Sequence, residues 1–258
     1  MRTVSATRYV TPLREGGSLP AIVEADDAGL YVLKFRGAGQ GARTLVAELV
    51  AGEIARALGL RVPEIVLVEL DADLARSEPD PEIQDLIRAS TGVNLGLDYL
   101  PGSTTFDPLA DTPDTATASS IVWFDALVSN VDRTPRNTNM LMWHRQLWLI
   151  DHGAAFYFHH AGDDFTARAG EPFARIRDHV MLPFAGMLAD VDATLATRLD
   201  GDIIRHIVDR VPAAWLEAGA DRRDTAQQRA GYVNYLRARL QAPRAFVEEA
   251  IRARAQHL

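Results

Sequence analysis

The sequence has no cysteine in its 258 residues, which excludes disulfides, thiolate metal sites and cysteine nucleophiles. It has no stretch approaching the ~18 uncharged apolar residues of a membrane span. Met1-Arg2-Thr3-Val4-Ser5 lacks the apolar run of a signal peptide, so a soluble cytoplasmic protein is the expectation. It also lacks a basic stripe: the net charge is −8 and the basic residues are spread along the chain, which argues against a nucleic-acid partner. The scarcest charge is lysine. Of 27 basic residues, Lys34 is the only lysine. A coding bias toward arginine explains most of this, but the two cations differ physically, a planar five-donor fork against a compact ammonium on a flexible stem. A slot that needs the compact ammonium, such as a phosphate contact, would be the last to lose its lysine.

What is present is ample for a core: 47% of residues are hydrophobic, enough for one large domain or two small parts. Ala21–Glu24 and Leu30–Phe35 flank the turn-rich Ala25-Asp26-Asp27-Ala28-Gly29 and read as a β-hairpin. Strand alternation puts Lys34 on the same face as Leu30 and Val32, so its ammonium needs an anion nearby or a route to water. After a loop at Gly37–Gly41, Arg43–Leu58 reads as a helix with Val46, Val50, Ile54 and Leu58 on one stripe, stopped by Gly59. Glu48 and Glu53 stand about 140° apart on that helix, so both cannot face one lysine. Ile65–Leu70 and Asn94–Leu100 read as strands, and Asp71–Pro81 as a solvated loop.

Near residue 100 the composition shifts. Ser119–Asn130 is an apolar helix, and Asn139–Trp143 with Leu147–Ile150 form a second hairpin. Thr194–Leu258 is mainly helical, with Pro212 and Pro243 at helix starts. The expectation is an α+β fold: a small part of strands with one helix over residues 1–102, then a larger, mainly helical part over 103–258.

The densest polar segment, Asn130-Val131-Asp132-Arg133-Thr134-Pro135-Arg136-Asn137-Thr138-Asn139, joins the apolar helix to the second hairpin. By residue type it is an ordinary loop. Its partner changes that reading, because the hairpin ends in Leu149-Ile150-Asp151-His152-Gly153. The pattern is Asp, five residues later Asn, a short hairpin, then Asp-x-Gly. Phosphoryl transfer needs one carboxylate to accept the proton of the attacking hydroxyl, and an Asn with a second Asp to hold Mg²⁺ through hard oxygens. A hairpin between them brings the two ends together.

These segments resemble the catalytic and metal-binding segments of HipA-like kinases, which share the two-lobed architecture of protein and phosphatidylinositol kinases. The resemblance runs over roughly residues 10–160. It implies an ATP- and Mg²⁺-dependent kinase that phosphorylates a hydroxyl, a protein Ser or Thr being the first choice. It implies Lys34 on the α/β-phosphates with Glu48 as its ion-pair partner, Asp132 as general base, Asn137 and Asp151 as Mg²⁺ ligands, and Arg136 near the γ-phosphate. Asp98, Tyr99 and Leu100 stand where such kinases contact adenine through backbone groups. Arg14-Glu15-Gly16-Gly17-Ser18 stands in place of the phosphate-covering loop, without a G-x-G-x-x-G pattern; Gly16, Gly17 and Ser18 are the nucleotide-contacting candidates. Two further departures are Asn130 two residues before Asp132, where protein kinases have His, and His152 after Asp151, where they have Phe. The chain is shorter than full HipA toxins, so the resemblance does not extend to their antitoxin partner.

Three alternatives stay open from the sequence: a pseudokinase that only binds nucleotide, a small-molecule phosphotransferase, and a dinucleotide-binding unit. The last rests on Gly37-Ala38-Gly39-Gln40-Gly41-Ala42 between a strand and a helix, a weak motif alone. His159-His160, adjacent and so diverging, do not suggest a metal site. Asp163-Asp164 and Arg222-Arg223 read as solvated charges, and Trp123, Trp143, Trp148 and Trp215 as core.

Overall fold

The computed structural model describes residues 1–13, 19–39, 41–160, 166–218 and 223–256. Gly16, Gly17 and Ser18, the candidates for covering phosphate, lie outside the described residues, as do Asp163, Asp164 and Arg222 and the side chain of His160. The N-terminal part is a closed barrel of β1 (Thr3–Pro12), β2 (Ala21–Ala25), β3 (Leu30–Lys34), β5 (Gly92–Asp98) and β4 (Ile65–Leu70), in that order around the sheet. α1 (Ala42–Ala57) and α2 (Pro81–Ala89) are its helices. All neighbours are antiparallel except β1 and β4, whose parallel pairing closes the barrel.

β1 is a strand that the sequence does not announce. Of its ten residues only Val4 and Ala6 are buried, so it shows little of the apolar alternation that marks a strand. Asp71–Pro81, expected as loop, contains a 3₁₀ turn at Ala72–Ser77 in which Asp71 accepts from Asp73 N–H. α2 is likewise unexpected. It buries only Ile83 and Ile87, one apolar stripe closing over the barrel, yet it starts with Asp80 as N-cap and Pro81 in the first turn. The dinucleotide reading fails on topology. β3 and β4 each pair antiparallel with β5, which lies between them, so the strands on either side of α1 are not the adjacent hydrogen-bonded pair that a dinucleotide-binding βαβ unit needs.

The remainder is mainly helical around a small sheet of β6 (Thr104–Thr105), β7 (Met140–Trp143) and β8 (Gln146–Leu149). α3 (Thr115–Val128) begins four residues before the expected start, with Asp114 as its N-cap, and is buried along most of its length. α4 (Leu188–Leu195), α5 (Gly201–Asp209), α6 (Ala213–Glu217), α7 (Thr225–Arg239) and α8 (Ala245–Ala255) complete it. Aspartate N-caps also start α5 and α7, the latter in a capping box with Gln227.

α1 ties the two parts together. It is buried on nearly every face, because the barrel covers one side and α5 and α6 cover another. Its apolar residues share one continuous core with α3 and the C-terminal helices. Trp123 and Trp215 belong to that core, as expected. Trp143 and Trp148 do not. They meet edge to face on the β7–β8 hairpin, with ring centroids 5.4 Å apart, and are only half-buried.

Candidate active site

A cleft of about 1000 Å³ lies between the barrel and the β7–β8 region. Val32, Lys34 and Leu97 line one side, Asn137, Ile150 and Asp151 the other. Lys34 is the last residue of β3, on the face it shares with Val32. Its Nζ donates to Glu48 Oε2 at 2.7 Å and to Asp151 Oδ1 at 2.5 Å. Glu53, on another face of α1, is paired instead with Arg210 of the helical part. Burial alone would lower the pKa of Lys34, but Glu48 and Asp151 outweigh it and hold it above the usual lysine range. Burial would likewise raise Glu48, yet Lys34 and His152 keep its fully buried carboxyl well below the usual carboxylate range.

Across the cleft, the loop after α3 folds on itself through Thr134 and Asn137, whose backbones exchange two hydrogen bonds. This returns Asn137 to Asp132, so that Asn137 Nδ2 donates to Asp132 Oδ2 at 2.8 Å. Asn139 adds a second amide, 3.2 Å from the same oxygen and 3.0 Å from the Asp132 carbonyl. Asp132 is half-buried behind these two amides, while Arg136 lies exposed on the rim of the cleft. Asn139 and Asp151 bracket the β7–β8 hairpin, and both have left-handed backbones (φ 49° and 56°). Asn and Asp tolerate that conformation better than most residues. At Asp151 it turns the carboxylate toward Lys34 while His152 enters the core.

The expected backbone contacts at Asp98–Leu100 are partly used already. Asp98 N–H donates to Glu64 O and Tyr99 N–H to Leu30 O, both at 2.9 Å, which removes those two donors. Leu100 follows them and lines the cleft.

Residues 7–246 match the family model described as HipA-like kinase. The chain belongs to the HipA-like kinase family. Its fold resembles the crystal structure of a Helicobacter pylori proinflammatory kinase, CtkA, with a TM-score of 0.54 over 98% of this chain and 99% of that one, at 14% identity. No curated protein sequence matches it.

This HipA-like kinase carries a second polar cluster, under the Asp132 loop, for which the sequence gives no local sign. Asp125, on the last turn of α3, is fully buried. Its Oδ2 accepts from Arg133 Nε at 2.6 Å and from His179 Nε2 at 2.8 Å, and its Oδ1 accepts from Asn130 Nδ2 at 2.9 Å. Met181 N–H donates to His179 Nδ1, so Nε2 is the nitrogen that carries the proton. Burial would raise Asp125, but Arg133 and His179 hold it well below the usual carboxylate range. Arg133 Nη1 in turn donates to the carbonyls of Asn139 and Ile150, the residues at either end of the hairpin. The Arg133 carbonyl accepts from Val180 N–H. One buried guanidinium therefore fixes the spacing between the Asp132 loop and Asp151. Asn130 is the residue that stands where protein kinases have His; here its side-chain Oδ1 accepts from Asp132 N–H and its Nδ2 donates to Asp125.

His159 belongs to a buried aromatic group. Its Nδ1 meets the Tyr232 hydroxyl at 2.8 Å, beside Phe156, Phe158 and Tyr235.

Proposed function

We propose that this protein transfers the γ-phosphate of ATP, with Mg²⁺, to a hydroxyl, a protein Ser or Thr being the first acceptor to test. The observation that carries the reading is Lys34. The chain's one lysine is bonded at once to Glu48 of α1 and to Asp151 at the hairpin's end, on the wall of the cleft that Asn137 lines from the other side. In this reading residues 1–102 and 103–258 act as the two lobes, with ATP between them. Lys34 takes the α/β-phosphates, and Leu100 N–H is the backbone donor left for adenine. Arg136 on the rim neutralises γ-phosphate charge.

The donor set fits Mg²⁺. Asn137 uses its amide nitrogen on Asp132, which leaves its carbonyl oxygen; Asp151 uses Oδ1 on Lys34, which leaves Oδ2. Both are hard oxygen ligands, and Mg²⁺ takes few of these from protein because phosphate and water supply the rest. When bound, the ion offsets phosphate charge and orients the transferring group. Asp132 is the general base in this reading: two amides hold its Oδ2, which leaves Oδ1 to accept the proton of the attacking hydroxyl.

The test is transfer from labelled ATP into a cell-protein extract and into the protein itself. The native chain should transfer, and Asp132→Asn should lose roughly 10²–10⁴-fold with its fold intact. Equal transfer by both would remove Asp132 from the role of base; no Mg-ATP binding by the native chain would overturn the whole reading.

A further inference from the structure

His152 stands where protein kinases carry Phe, and the roles above leave it unused. It is fully buried beneath α1 and meets Phe124 edge to face. Its Nδ1 lies 3.4 Å from Glu48 Oε1, while Lys34 occupies Glu48 Oε2. A carboxylate held ionised can only accept, so Nδ1 must carry the proton. The other ring nitrogen, Nε2, is buried with no partner among the described residues.

Two glycines let the backbones around this contact approach closely. A Cβ on Gly52, one turn after Glu48, would come within 2.6 Å of Ile65 Cδ1, and within 3.7 Å of His152 Nδ1. A Cβ on Gly153 would meet Thr44 Cγ2 at 2.5 Å and Glu48 Oε2 at 3.5 Å. Gly52 thus lets α1 pack close against β4, while Gly153 lets the Asp151 loop close on α1 to a distance at which the His152 imidazole reaches the Glu48 carboxylate. A phenylalanine ring would fill the same space and contact Phe124, but it has nothing to donate.

We propose that His152 is a positioning residue for nucleotide binding. It grips one oxygen of Glu48 so that the other keeps Lys34 aimed into the cleft, and thereby couples α1 to the loop that carries Asp151. This rests on the kinase reading of the same site. Phosphate contact is left to Lys34, and His152 acts only through Glu48.

The experiment is calorimetric titration of Mg-ATP into the native chain, His152→Phe, His152→Asn, Glu48→Gln and Glu48→Gln combined with His152→Phe, each with a thermal melt. An Asn amide sits near the position of Nδ1 and can donate. His152→Phe should bind Mg-ATP about tenfold more weakly, the size of one buried hydrogen bond to a charged group. His152→Asn should recover to within about threefold of native. On the Glu48→Gln background the Phe substitution should cost little further, as required for a residue that works through Glu48. If His152→Phe does not fold, His152→Leu, close to Asn in size and without a donor, replaces it in the comparison. Native-like affinity in the donor-less variant, or equal weakness with Asn and without a donor, overturns the proposal. Failure of the native chain to bind Mg-ATP is a different result, and it strikes the kinase reading itself.

Discussion

Glu48 and Asp125 are both sealed from water, both face a cation and a histidine, and both are held ionised against the cost of burial. They differ in what their cation can reach. Lys34 lies on the wall of the cleft and is shared with Asp151, a half-exposed carboxylate. Arg133 has no exposed side-chain surface, and beyond Asp125 its guanidinium meets backbone carbonyls of the hairpin ends. In the proposed reading the first cluster exchanges a partner when the nucleotide arrives. The second holds the loops in register and has no exit. Each cation suits its surroundings, a compact ammonium on the cleft wall, where the proposed reading puts a phosphate, and a planar fork where several fixed acceptors converge.

Removing one charge from each cluster separates these roles. Asp125→Asn strands a guanidinium that cannot shed its proton in the interior, a loss of about 3–5 kcal/mol. For a chain of this size that lowers Tm by roughly 10 °C, read from thermal melts. A variant as stable as the native chain would mean that the Asp125–Arg133 pair does not hold the loops. Lys34→Met strands a carboxyl instead, and a carboxyl can take up a proton. The cost is then capped near 1.36 kcal/mol for each pH unit above the ordinary Glu pKa, about 3–4 kcal/mol at pH 7. Its main effect should be on ligand: Mg-ATP affinity falls at least about tenfold, the measure of one charge-assisted contact. If Lys34→Met binds Mg-ATP normally, the ammonium is not the phosphate contact.

The contrast also tracks what the sequence reveals. Lys34, Asp132, Asn137 and Asp151 are legible because they lie at fixed spacings around a hairpin and because one lysine stands among arginines. Helical angle shows that Glu48 and Glu53 cannot both face one lysine, and the family resemblance is what points to Glu48. Asp125 is not legible, since it is one polar residue in an apolar helix and its partner His179 lies 54 positions away. Asn139 is visible in the polar segment, but only the fold-back at Thr134–Asn137 shows that its amide meets Asp132. The barrel shows the same limit. β1 pairs with β4 through partners as far apart in the chain as Thr3 and Leu67, and its mostly exposed residues give no local sign of that closure.

Acidity provides the finest test of the difference between the two clusters. In the native chain both Glu48 and Asp125 titrate below the ordinary carboxylate range. A depressed folded-state pKa contributes stability above the unfolded pKa and loses it as pH falls through the folded one, so the contribution of these two carboxylates should erode only below about pH 4. Lys34→Met reverses the sign at Glu48. With its ammonium gone, the buried carboxyl takes up a proton more readily folded than unfolded, and the resulting penalty shrinks as pH falls. Between pH 7 and pH 5 the cap on its deficit drops from about 3–4 to about 1 kcal/mol. The Asp125→Asn deficit should stay level over the same interval, because a stranded guanidinium has no proton to exchange there. Urea melts of both variants at the two pH values measure this. A Lys34→Met deficit as flat as that of Asp125→Asn would mean Glu48 stays ionised without its lysine, held by His152 alone.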